Sequence, residues 1–448
     1  MPVDGFGAEV SYKDQAAIDV FTGAARALLG YAPDPIGATS QLLVEHPDFV
    51  MARCLMAGAC LVASDARFQP MLKAEEAQIA ARESLANDRE LGHLKAIRLW
   101  LAGDWYGASA AYADVLTRHP RDLLALLFGH QVDFLLGQAH RSHDRAARVL
   151  GHWSSDEPDG GFIQGMLAFG LEECGHYQRA EQAALAALEL NPRDTWAIHG
   201  RIHCHEMQGE LDAGVSFMRG RESDWGGTNY LASHNSWHLA LMHIERCEFD
   251  EALALHDRYM AVTEDSVLMK MHDSCALLWR LGMAGADVGD RWAAVGSRYQ
   301  EVADQAYMGF TDLHTAMAFA GTNNGDGLAG LAACLEAEGA GTSQRATIAR
   351  MAALPVVKAF RAIQQRDFAA AMDLFAAHRY SSHLIGGSAA QRDVIDLTYL
   401  DCALHAGRTE VVDALLQERR LLKPESPLTQ VLRGRLQQLL ADRTPALS

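Results

Sequence analysis

The chain has 448 residues, 49% of them hydrophobic, which suffices for one extended repeat domain or two to three globular ones. Its 39 basic and 57 acidic residues leave a net charge of −18, which opposes binding to a phosphate backbone and argues against nucleic acid. There is no Lys/Arg-rich amphipathic stretch to suit an anionic membrane, and no apolar run approaches the roughly 20 residues of a membrane span.

In chain order, residues 1–90 read as an N-terminal helical region packed on the rest, and HPDF at 46–49 echoes the end of a repeat. The opening MPVDGFGAEVSYKD has neither the basic nor the apolar region of a signal peptide. Residues 91–320 carry visible repeats. GDWYGASAAYADVLTRHPRD (103–122) and GHYQRAEQAALAALELNPRD (175–194) share a turn glycine, an aromatic two residues later, an alanine at the fifth and a closing proline. The alanine lets two helices approach closely, and the proline cannot continue the second. Weaker copies begin near Gly137, Gly209 and Cys247.

Residues 321–343 are glycine-rich and read as a connector. They contain a formal GxGxxG (Gly325, Gly327, Gly330), but no β-strand precedes it, and a dinucleotide site needs a strand, a turn and a helix. Residues 344–448 return to the repeat pattern at Arg366 and Gly407 and are expected to close the site.

A period near 34 with this template resembles the tetratricopeptide repeat. The expected fold is all-α: a right-handed α-solenoid of helix pairs curled around a concave polar pocket. That resemblance implies that positions 2, 5, 6, 9, 12 and 13 of each first helix face inward. With the turn residue as position 15, His199, His203 and Glu206 fall inward in the unit ending at Gly209, and His234, Trp237 and His238 in the unit ending at Cys247. Phasing the next two units on Gly282 and Gly321 adds His272, Asp273 and Asp312, while His205 and His314 are expected to point away. The i,i+4 spacing of His199/His203 and His234/His238 stacks each pair on one helix face.

Four successive units thus place ionisable side chains where packing alone would take alanine, leucine or glycine. His titrates near neutral pH, and a carboxylate beside it fixes its tautomer, the usual equipment of general acid/base work. His199, His203, His234, His238, Asp273 and Asp312 are therefore the candidate catalytic residues. The partner expected is a small polar molecule, with an elimination or hydrolysis type of reaction. Two alternatives remain: a peptide- or protein-binding scaffold, and a metal-dependent enzyme. The paired H-x₃-H segments suit zinc or another divalent metal, but HExxH is absent, so no resident cofactor is expected. The GxSxG elbow and the P-loop are also missing. Eight cysteines without a CxxC pair read as reduced thiols of a cytoplasmic protein, which could form a homodimer.

W-x-x-H…H-x-H-E-M-x-G (196–209), HNSWHLAL (234–241), DSCALLWRLG (273–282), DLHTAMAF (312–319) and GGSAAQRDV (386–394) together resemble the tetratricopeptide repeat protein 38 family over about residues 30–440. The resemblance implies a cytoplasmic protein with a tetratricopeptide-like fold, and it assigns no reaction. It adds Gln391, Arg392 and Asp393 to Glu206, Asn235, Trp237 and His272 as expected substrate-binding residues, with Arg392 as an anion clamp.

Overall fold

The computed structural model describes residues 1–154, 156–302 and 305–443. Among them every regular element is a helix, apart from an isolated antiparallel bridge between Val3 and Glu9. The chain divides into two compact units, Met1–Arg201 with Ser223–Ala232, and Ile202–Glu222 with Ser233–Ser448.

The repeat is written in the turns. Gly103, Gly137, Gly175, Gly209, Cys247, Gly285, Asn323, Arg366 and Gly407 all adopt left-handed backbone, with φ between +55° and +98°. Their numbers differ successively by 34 to 43 residues, a tetratricopeptide-like spacing of helix pairs. Two turns differ from the sequence phasing: the left-handed residue is Gly285 rather than Gly282, and Asn323 rather than Gly321.

Caps explain why helices start where they do. After three of these turns a short polar side chain accepts from the N–H three residues on: Asp104 from Gly107, Asn324 from Gly327 and Asp367 from Ala370, at 2.9–3.0 Å. The HPRD and NPRD ends do the same for the following helix, through Asp122 to Ala125 and Asp194 to Ala197. Each cap satisfies a backbone donor that the first helical turn would otherwise leave unpaired.

In the first unit, helices Gln15–Leu29, Pro35–Glu45, Val50–Val62 and Gln69–Ala80 precede the repeats, and Val50–Val62 also packs on Leu123–Leu135. Trp100 stacks on Trp105 across the Gly103 turn at 4.9 Å. Beneath the repeats the buried Arg89 bridges Asp4 and Asp122, and His93 joins Asp122 at 2.8 Å. This ties the N-terminal segment to a repeat cap.

The second unit takes the latter half of α1 (Thr195–Gln208), then α2 (Ala232–Glu245), α3 (Leu268–Ala284), α4 (Gly309–Gly321) and α5 (Gly325–Gly339). It ends with α6 (Ala389–His405), α7 (Thr409–Leu422) and α8 (Pro427–Arg443). The glycine-rich stretch expected to be a connector is therefore mostly helix: α5 fills it, capped by Asn324. Alanine and leucine outweigh its glycines, and Leu328, Leu331 and Leu335 form one buried stripe. The GxGxxG glycines lie in its first turns, preceded by a helix.

Candidate functional site

Helix α2 sets His234 and His238 one turn apart, and each meets a carboxylate from a neighbouring helix. His234 Nδ1 lies 2.7 Å from Asp273 Oδ1 of α3, whose other oxygen accepts from Ser233 Oγ at 2.9 Å. His238 Nδ1 lies 2.7 Å from Glu206 Oε2 of α1. An ionised carboxylate only accepts, so in each pair Nδ1 carries the hydrogen; in the neutral form of the ring the lone pair is then on Nε2. His203 joins from α1, its ring 4.3 Å from that of His238, which is in turn 4.8 Å from His234. His203, His234 and His238 each present a ring nitrogen within 4.8 Å of the others. All three are buried, His203 and His238 completely. His199 lies one turn before His203 on α1 but is counted with the first unit, where it stacks on Phe169 at 5.4 Å.

Charge around this cluster is compensated. Burial pushes the Glu206 carboxyl up, while Lys423, His203 and Arg280 pull it back. Trp237 stacks on His234 at 5.3 Å, and the Arg280 guanidinium lies 5.3 Å from the Trp237 ring centroid. Arg280 also donates to the carbonyls of Ala390 and Gln391 at 3.0 and 3.3 Å, anchoring the start of α6. Glu245, at the end of α2, is gripped by Arg419, Lys423 and Ser426. Burial alone would raise its pKa, but Lys423 and Arg419 hold it at about 2. Burial likewise pulls Lys423 down, and Glu245, Asp393 and Glu206 outweigh it to keep that ammonium charged.

The C-terminal segment reaches this region with roles other than those expected. Gln391 is a helix cap: its Oε1 accepts from Ser388 N–H and its own N–H donates to Ser388 Oγ. Arg392 donates to the carbonyls of Gly386 and Gly387 in the turn before α6. Asp393 faces Arg419 at 3.5 Å and belongs to the charge cluster.

Asp312 and His314 exchange their expected places. Burial lifts the Asp312 pKa to about 8, against a pull from Arg345. His314 instead lies 4.5 Å from His272, ring to ring, with Nδ1–H donating to the Phe310 carbonyl at 2.7 Å. The corrected turns give the reason. His234 and His272 each stand thirteen residues before their turn residues, Cys247 and Gly285; His238 and His314 each stand nine before Cys247 and Asn323. Asn235, Asp273 and Thr311 are likewise equivalent, each twelve before its turn.

At and beside some of these positions lie buried polar atoms that have no hydrogen-bond partner among the described residues. They are both amide atoms of Asn235, the Trp237 indole N–H, His272 Nε2, the Thr311 hydroxyl and, from a nearby helix, the Tyr299 hydroxyl. Burial lowers His272 well below the ordinary histidine value, with His314 and His234 adding to it. Sequence reasoning missed Arg280, Glu245, Arg419, Lys423 and Tyr299. Their signal was present only as charges and aromatics on helices whose partners were unknown. His205, expected to point away, does so: it pairs with Glu210 at 2.7 Å and packs on Phe217.

No family model matches the chain. Among solved structures, a chain of "Structure of Naa15/Naa10 bound to HypK-THB" is similar at 12% identity and a TM-score of 0.23, covering 97% of this chain and 69% of that one.

Proposed function

We propose that this helical-repeat protein binds a small polar molecule in its second unit and acts on it by proton transfer. The carrying observation is the pair of carboxylate-fixed imidazoles, His234–Asp273 and His238–Glu206, buried side by side with His203. A carboxylate on Nδ1 raises the basicity of Nε2 and fixes its direction, as a general base requires. The unpartnered atoms of Asn235, Trp237, His272 and Thr311 support a polar occupant, because buried polar groups are ordinarily satisfied by protein, water or ligand. Elimination or hydrolysis is the reaction class proposed. Membership in the tetratricopeptide repeat protein 38 family belongs to the same proposal, on HNSWHLAL and GGSAAQRD, as does a cytoplasmic location. No described helix is long and apolar enough to cross a membrane, and no disulfide joins the described cysteines.

The test is the release of small molecules from the gently purified chain on denaturation, followed by mass spectrometry. The wild type should release one polar compound in near-stoichiometric amount. Asp273→Asn should lose it while its melting temperature stays within a few degrees. Identical release from both proteins would sink this reading. A polypeptide-binding scaffold is the second reading, favoured by Leu421 and Leu422, which lie 83% and 63% exposed at the end of α7. Saturable binding of a peptide, weakened by Leu421→Asp and unaffected by Asp273→Asn, would favour it.

A further inference from the structure

The lone pairs that would accept a proton are also a donor set for a metal. We propose that His203, His234 and His238 bind one divalent transition-metal ion of the zinc class, with Asp273 and Glu206 as positioning carboxylates. The inference rests on reading this cluster as the functional centre and names its cofactor; a ring that binds the ion through Nε2 is then a ligand and no longer the base.

Three features of the geometry carry it. The first is convergence: ring nitrogens from two helices come within 4.8 Å of one another. Nitrogens bound to zinc at about 2.0–2.1 Å in tetrahedral geometry lie roughly 3.4 Å apart, so side-chain shifts of about an ångström close the site. The i,i+4 placement of His234 and His238 supplies two ligands from one helix face, and His203 supplies the third from across.

The second feature lies outside the ligands. Metal-bound histidines characteristically donate their other ring N–H to a carboxylate, which fixes the ring and strengthens it as a ligand. His234 and His238 both do so at 2.7 Å, to carboxylates that are themselves buried. Asp273 is further oriented by Ser233. The third feature is charge. The Asp273 and Glu206 carboxylates beside the three rings offset part of a dication's charge in a core walled by Trp237. Imidazole donors select zinc, copper, nickel or iron over magnesium and calcium.

The experiment uses the full chain without a polyhistidine tag. After dialysis against a chelator it is titrated with Zn²⁺ by calorimetry and with Co²⁺ by visible absorption. Expected are one ion per chain and cobalt d–d bands of a tetrahedral or five-coordinate site. His203→Ala and His238→Ala should abolish both signals. Asp273→Asn and Glu206→Gln should retain binding with 10- to 100-fold weaker affinity, the effect of losing an outer carboxylate. His243→Gln is the control. It lies on the same helix but pairs with Glu248, and its binding should match the wild type. Circular dichroism identifies any variant that fails to fold, and the carboxylate variants keep the test valid if the alanine variants do. Absence of stoichiometric binding by the wild type overturns the inference, as does equal binding by His203→Ala. If the wild type still releases an Asp273-dependent polar molecule without metal, the proton-transfer reading survives alone. If the metal binds one to one and no such molecule appears, the metal site stands and that reading falls.

Discussion

At Asp312 a carboxyl is buried with little to compensate it. Its pKa is raised to about 8 by desolvation, against only a modest pull from Arg345. Between about pH 3.8 and pH 8 the unfolded chain ionises this group while the folded chain keeps its proton. Fewer protons are then bound in the unfolded state, so this residue costs more stability as pH rises through that window. Asp312→Asn is expected to stabilise the protein by a few kcal/mol at pH 8, with the gain vanishing near pH 4. Denaturant melts of both proteins across that range check it, and a gain that does not depend on pH would contradict the assignment. Asp273 differs at the same scale because His234 and Ser233 occupy its oxygens. Its neighbour position in the repeat, Asn235, has neither amide atom paired among the described residues, which marks it as a place where the polar side chain serves something other than the fold.

At the scale of elements, the repeat turns and the ends of α2 and α7 invite two predictions. Arg366 adopts φ +62° at a position where six sibling turns use glycine. A non-glycine residue there costs roughly 1–2 kcal/mol. Part of any gain from glycine is offset by the freedom it adds to the unfolded chain. Arg366→Gly is therefore expected to be neutral to stabilising by up to about 1 kcal/mol, and Arg366→Val to destabilise, as measured by urea unfolding. Glu245 is the sole carboxylate among the described residues within hydrogen-bond reach of both Arg419 and Lys423, and through them it fastens the end of α7 to α2. Glu245→Gln would leave two buried cations with weakened compensation, at a cost of about 3–5 kcal/mol. The loss should appear as faster amide exchange in α7 and α8; exchange unchanged there would show that the pair is not what holds them.

For the whole molecule, histidines kept neutral inside it contribute to the loss of stability in acid. Burial lowers His130 in the first unit and His314 in the second to about 3. The unfolded chain begins to take up these protons near pH 6.5, the folded chain only near pH 3. More protons are then bound in the unfolded state, so stability falls as pH drops through that window. His314→Gln should flatten this dependence by a few kcal/mol at pH 4, and thermal melts at pH 4 and pH 7 would check it.

The all-α class, the helix pairs and most of the turn residues were legible because each rests on local chemistry: a left-handed glycine, an Asp or Asn cap, a proline end. Spacing within one helix was equally legible, so the stacking of His234 and His238 on one face could be read directly. Phasing across units was not, because the turns after α3 and α4 sit at Gly285 and Asn323, two or three residues beyond the glycines that mark the repeat. That small shift puts His314, not Asp312, at the repeat position of His238. The glycine-rich segment read as a connector became α5, since a buried leucine stripe and one asparagine cap outweigh the cost of its glycines.

By itself, the sequence determined the periodicity, the helix faces and the concentration of histidine and carboxylate on successive first helices. Only the tertiary structure decided which groups meet. Asp273 fixes His234 and Glu206 fixes His238; Gln391 and Arg392 serve their own turn; Glu245 holds Arg419 and Lys423. The physical reason is range. Helix geometry relates residues three and four apart, whereas a hydrogen bond between helices depends on packing that joins residues 30 to 180 positions distant.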